Sequence, residues 1–484
     1  MRHAVTLLAL IAVVVSLVVL QDARRGLTIE SFAVGQTPVT RYARQGADGP
    51  VVVVAHGFAG SRQMLQGYSL PLAQAGYRVF AFDFQGHGRN PVPMSGDVTA
   101  LDGTTQRLVD QTAAVIDAVA NGGPVALLGH SMATDVLVRV ARGRDDIGPV
   151  VLLSAFSQAI DATHPKDLLL VTGAGEPGLK GFAVEAAQMV DPGAVAGETV
   201  TAGDVTRRAV IAPWVEHVSI LHSRRGRAEA VAWIDRAYGR TSDVAIRHTG
   251  WAILGLLGGI VALFGAVARV LPVTPVAAMP PTLALSQRRL AVVTLVPVVV
   301  APVVSVLVDP QGLPVLVAGY LALHLAVFGL LQLWLIRRWG GRWGAFSPLA
   351  FVLLLGWSVV FGVALDRYAA NFWPVAQRVW IIAAMALGAV PFMLADALLT
   401  HGASLRRRFV LRGGFILSLG IAVALNPFEL FFLVMIAPVV LLFYAVFGTM
   451  GRMAGRRAGP LAAGLALGLV LAWALGVSFP LFRA

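Results

Sequence analysis

The chain has no cysteine, and only 13% of its 484 residues are Asp, Glu, Lys or Arg. Without cysteine there is no disulfide, no thiolate nucleophile and no Cys-ligated metal; an oxidising compartment is permitted but not required. The sequence also has no His-Glu-x-x-His metal motif, no phosphate-binding loop and no dinucleotide fingerprint, so it points to no metal or cofactor. It carries no internal repeat and no low-complexity tail.

What fills the chain instead is apolar. Hydrophobic residues make up 57% of it and the mean hydropathy is +0.74, too apolar for a soluble protein and indicative of several membrane spans. A net charge of +12 could suggest nucleic-acid binding, but its distribution argues against that. Residues 27–246 carry 18 basic and 21 acidic side chains, whereas the rest carries 20 and 5. The positive charge belongs to the apolar part, where it marks membrane topology.

The chain divides into residues 1–26, a signal anchor; 27–247, a globular block; and 248–484, a membrane block. Ala4 to Leu20 is an uninterrupted apolar run with no clear cleavage site after it, so a retained anchor is expected. Eight further spans are predicted near 249–271, 290–308, 315–336, 346–365, 376–399, 410–425, 428–450 and 460–481, the short 410–425 segment being an alternative re-entrant hairpin. The loops "SQRRL", "IRRWGGRWG", "SLRRRFVLR" and "GRMAGRR" are arginine-rich, while "DPQG", "DRYAANFWP" and "NPFE" are not. The positive-inside rule then puts the arginine loops in the cytoplasm and the globular block outside, the side to which an N-in anchor also delivers it. The location expected is a bacterial-type inner membrane, with the block facing the periplasm. His324 and Asp396 fall within spans and are candidates for function or for pairing between helices.

The globular block reads as alternating apolar strands and amphipathic helices, hence a mainly parallel sheet wrapped on both faces. Chemistry gathers at the carboxyl ends of such strands. His56, Asp83, Ser131, Glu176 and His217 each follow one. Ser131 sits in "LGHSMA", a Gly-x-Ser-x-Gly pattern with Ala133 in the last place, which alone is a weak signal.

The ordered set "HGFAGS", "FDFQGHGRN", "LGHSMA", "LLLVTGAGEP" and "EHVSIL" resembles an α/β-hydrolase of the esterase/monoacylglycerol-lipase type over about residues 40–240. The resemblance implies Ser131 as nucleophile, His217 as general base and Glu176 as the acid that orients it, in the chain order of this fold. His222 and Asp161 compete for the last two roles. The oxyanion hole would be the backbone N–H groups of Phe58 and Met132, while His56, Asp83 and His87 would brace loops. Only about ten residues separate Ser157 from Lys166, where many lipases insert a cap, so an open site is expected. The function implied is acyl-ester hydrolysis through an acyl-enzyme, without cofactor, on lipid or acylated substrates at the bilayer. Acyl transfer, or a transport or sensing protein with a hydrolase-like binding domain, are the alternatives.

Overall fold

The computed structural model describes residues 2–96, 101–273, 285–310, 313–315 and 317–482. Helix α1 (Arg2–Asp22) leads into strands β1 (Leu27–Val34) and β2 (Thr37–Arg44), then β3 (Val51–Ala55), α2 (Gln66–Gln74), β4 (Arg78–Phe82) and α3 (Gln106–Val119). There follow β5 (Val125–His130), α4 (Met132–Arg142), β6 (Ile147–Leu153), β7 (Asp167–Gly173), α5 (Pro177–Gln188), β8 (Thr199–Ala202), β9 (Val205–Ala212) and α6 (Arg224–Ala237). The strands form one nine-stranded sheet in the order β1-β2-β4-β3-β5-β6-β7-β9-β8. The run from β4 to β9 is parallel, whereas the β1–β2 hairpin, the β2–β4 pair and the β8–β9 pair are antiparallel.

The all-apolar "VVVVA" of β3 explains the layering. Val51, Val53 and Ala55 pack on one face with Leu127, Leu152 and helices α3 to α5, while Val52 and Val54 pack on the other with α2 and α6. A strand buried on both faces shows a continuous apolar run rather than alternation. The edge strands are half exposed and carry no such run: only Val200 of β8 is buried, and β1 has no buried residue.

The second half is helical: α7 (Thr249–Val267), α8 (Gln287–Val308), α9 (Ala318–Arg338), α10 (Pro348–Tyr368), α11 (Ala376–Thr400), α12 (Leu405–Leu425), the short α13 (Pro427–Leu430), α14 (Leu433–Ala458) and α15 (Pro460–Ser478). Counting α1, nine helices among the described residues are long and apolar enough to cross a membrane. Helix α12 has 21 residues, longer than the predicted 410–425 segment, because it starts within the arginines and is capped by Ser404, whose hydroxyl accepts the Arg407 N–H. Helix α1 packs along α7, where a Cβ on Gly255 would lie 2.5 Å from Ser16 Oγ and one on Gly259 2.7 Å from Val13 Cγ2. Two glycines one turn apart allow this close approach of backbones.

The two halves meet at one end of the helices. Arg89 pairs with Asp366 at 2.6 Å, and Gln66 Nε2 donates to the Arg367 carbonyl at 3.1 Å. Buried Arg378 donates to the carbonyls of Gly86 (2.8 Å) and Gly476 (3.0 Å), and the C-terminal segment joins in, with Leu481 N–H donating to Gly86 O and Met94 N–H to Leu481 O, both at 2.8 Å. The arginine-rich segments lie at the opposite ends of the same helices. Of the predicted "DPQG" loop, Gln311 and Gly312 lie outside the described residues. His324 and Asp396 each have a partner on a neighbouring helix: His324 lies between Ser418 Oγ of α12 (2.9 Å) and Tyr320 OH of its own helix (3.1 Å), and Asp396 takes two hydrogen bonds from Arg412 of α12 (2.9 and 2.8 Å).

Candidate active site

Ser131 stands between β5 and α4 with φ 53° and ψ −118°, a strained conformation for a residue other than glycine. The turn is tight because strand and helix nearly touch: a Cβ on Gly129 would fall 2.6 Å from Leu137 Cδ1 and 3.2 Å from Ala133 Cβ. Ala133 itself is fully buried, so the methyl that replaces the usual glycine hydrogen is accommodated. The Ser131 N–H is tied to the Leu153 carbonyl at 3.0 Å, which fixes the turn against β6.

The loops after β7 and β9 bring two partners to it. His217 Nε2 lies 2.8 Å from Ser131 Oγ, and its Nδ1 lies 2.7 Å from Glu176 Oε1. Glu176 is the residue before α5 and is buried; its second oxygen accepts from Ser154 Oγ and from the Gly173 N–H, both at 2.8 Å. A carboxylate so held favours Nδ1–H on His217, which leaves Nε2 free to accept the Ser131 proton. The competitors go elsewhere. Asp161 is occupied by the N–H groups of Thr163 and His164 and by Arg142, and His222 is half-buried just before α6, next to Gly250.

The loop after β3 presses against this turn. A Cβ on Gly57 would lie 3.0 Å from Ser131 Cβ, so only glycine fits there. His56 Nδ1 donates to the Gly57 carbonyl at 2.7 Å, and its Nε2 accepts the Phe84 N–H at 3.1 Å. Pinning that carbonyl also orients Phe58 N–H, because the two belong to one planar trans peptide and point opposite ways. Burial lowers the pKa of His56, and more strongly that of His87, which favours neutral rings in both. Asp83 accepts from the backbone N–H of Arg62 (2.8 Å) and of Arg89 (2.9 Å) and from the Arg62 guanidinium. His87 Nδ1 donates to the Gln85 carbonyl at 2.8 Å, so all three side chains brace loops.

Three contributors were not legible in the sequence. Ser154, with φ 50°, directly follows β6 and donates to the second oxygen of Glu176; the rule about strand carboxyl ends could have flagged it. His130 Nε2 donates to the His217 carbonyl at 2.8 Å, and burial lowers its pKa to about 4, so the ring is a neutral donor. The third is Phe432, just ahead of α14, whose ring lies 5.4 Å from that of Phe58. It closes one wall of a cavity of about 580 Å³ over Ser131 and His217, whose other walls include Leu108, Val136, Phe156 and Leu179. The site is therefore less open than the short segment before Lys166 suggests, because the wall comes from the helical half.

The serine aminopeptidase S33 family profile matches residues 47–175, a stretch that includes Ser131 and stops one residue before Glu176. No curated protein matches the chain. Among solved structures, a CIB-like hydrolase of Thermoplasma acidophilum is 17% identical over 43% of this chain and 98% of that one, with a TM-score of 0.34. An epoxide hydrolase of Vigna radiata is 26% identical over 27% of this chain and 41% of that one (TM-score 0.23). Another, from an endophytic Streptomyces, is 25% identical over 27% and 38% (TM-score 0.23). The chain spans about two fifths of each of these epoxide hydrolases.

Proposed function

From an α/β-hydrolase domain joined to a bundle of membrane-length helices, we propose a membrane-bound serine esterase that cleaves acyl esters, with lipids or acylated molecules as substrates. The observation that carries this reading is the unbroken Ser131–His217–Glu176 hydrogen-bond chain at the floor of a cavity with mainly apolar walls, to which Asp135, Arg139 and Gln158 add polar groups. Ser131 Oγ attacks the ester carbonyl as His217 Nε2 takes its proton, and Glu176 stabilises the imidazolium. The oxyanion is received by the N–H groups of Phe58 and Met132, worth roughly 3–4 kcal/mol of barrier per donor in comparable sites. The tetrahedral intermediate collapses to an acyl-enzyme as His217 returns the proton to the leaving alkoxide; water then repeats the sequence on the acyl group.

A lipid substrate is supported by the surroundings. The loop carrying His217 also carries Trp214, 97% exposed, and α13 carries Phe428, 96% exposed. Aromatic rings at the level of helix ends suit the membrane–water interface. An extracytoplasmic orientation is supported by charge. The loops that touch the sheet domain are the arginine-poor ones, so the positive-inside rule directs that end of the helices outward.

The test is hydrolysis of p-nitrophenyl butyrate and palmitate by the purified full-length protein, set beside an aminoacyl p-nitroanilide. Ester turnover that vanishes in Ser131→Ala supports the proposal. Anilide cleavage without ester cleavage overturns it.

A further inference from the structure

The end of the helical bundle remote from the sheet holds a second cavity, of about 290 Å³, between the last turns of α11 and α14 and the first turns of α12 and α15. From Arg378 at the sheet end to Thr400 at this one, α11 climbs roughly 33 Å. The cavity wall carries Arg408, Arg412, Arg452 and Arg456, and Asp396 is its only carboxylate. Both Asp396 oxygens are taken by Arg412, at 2.9 and 2.8 Å, and the Arg412 guanidinium lies 4.1 Å from the centre of the Tyr444 ring. Arg452 reaches only the Thr449 hydroxyl, at 2.9 Å.

Among the described residues, Arg408, Arg452 and Arg456 have no carboxylate partner within 4.0 Å. The other Asp and Glu residues after residue 248 are Asp309, Asp366 and Glu429, which stand at the sheet-end termini of α8 and α10 and in α13. Arginines that only mark topology need nothing more than water. These converge on one cavity, with Arg408 and Arg452 half-buried there. Like charges drawn together in a partly desolvated space repel one another unless an anion joins them.

We propose that this cavity binds a phosphate group, carried by an anionic lipid headgroup or free in solution. A guanidinium presents paired N–H donors that match phosphate oxygens, and basic pockets between spanning helices take lipid headgroups in the same way. The volume lies at the small end of ligand sites, which suits a headgroup rather than a whole lipid. This site is separate from the Ser131 site and does not depend on what that site hydrolyses.

The full-length protein is reconstituted in phosphatidylcholine nanodiscs, with phosphatidylglycerol titrated into one set and inorganic phosphate into another, and thermal unfolding is followed. A rise in Tm with phosphatidylglycerol supports the proposal with lipid as the source; a rise with inorganic phosphate in pure phosphatidylcholine supports it with the soluble anion. The double variant Arg408→Gln/Arg452→Gln should weaken binding of the effective probe roughly twenty-fivefold, about fivefold per arginine. The charge-matched Arg337→Gln/Arg342→Gln, at the same end but outside the cavity, should stay within about twofold. The proposal is overturned if neither probe raises the Tm of the unmodified protein, or if both double variants weaken binding equally.

Discussion

Replacing Glu176 by glutamine keeps the shape of the side chain and removes its charge, and the structure shows why the amide cannot satisfy this site. One carboxylate oxygen faces His217 Nδ1, while the other accepts from Ser154 Oγ and from the Gly173 N–H. If the amide oxygen faces His217, the NH2 group meets the Gly173 N–H, a donor at the end of β7 that cannot turn away. If the amide flips, its oxygen satisfies Gly173 but its NH2 faces Nδ1, and His217 is driven to carry its proton on Nε2. That tautomer cannot accept the Ser131 proton. Forcing the wrong tautomer in a related triad costs roughly 10⁴-fold in kcat, about 5 kcal/mol of transition-state stabilisation. Initial rates on p-nitrophenyl butyrate should fall by that order while KM changes little. Glu176→Asp, one methylene short of His217, should fall between the two. Glu176→Gln within tenfold of the parent rate would refute this account of the acid.

Other consequences concern pH, the cavity wall and topology. Burial lowers the His130 pKa from 6.5 to about 4, so its neutral form stabilises the fold fully above pH 6.5. As pH falls through the window from 6.5 to 4, the unfolded chain takes up a proton that the folded one refuses, at about 1.4 kcal/mol per pH unit and about 3 kcal/mol in all. Thermal melts of His130→Gln across that window should therefore lose about one proton of the parent's pH dependence; an unchanged slope would contradict the assignment. Phe432→Ala opens the cavity wall and should raise KM for palmitate esters several-fold while leaving acetate esters nearly unchanged, as apolar burial of a long chain predicts. Reporter fusions after Pro310 and Arg342 should read extracytoplasmic and cytoplasmic; a cytoplasmic reading at Pro310 would overturn the orientation.

Legibility in the sequence followed the kind of force involved. The central strands announced themselves because burial on both faces demands unbroken apolar runs, as in Val51–Ala55. The β1–β2 hairpin and β8 did not, because half-exposed edge strands are held by backbone pairing that leaves little mark on side-chain choice. Strand order brought out Ser131, Glu176 and His217 together with His56 and Asp83, and the resemblance to an α/β-hydrolase separated the three from the two. What orients them could not. Ser154 and His130 act only through tertiary contact, and Phe432 reaches the cavity from 301 positions beyond Ser131 in the chain. No local pattern records the reach of Phe432, whereas the place of Ser154 right after a strand was a signal left unused.

The measurement that bears most directly on the central claim is covalent labelling by a fluorophosphonate probe, comparing the full-length protein with Ser131→Ala and His217→Ala. The account predicts a single labelled serine in the parent, none in Ser131→Ala, and labelling slowed by orders of magnitude in His217→Ala. Labelling that persists in Ser131→Ala would contradict it.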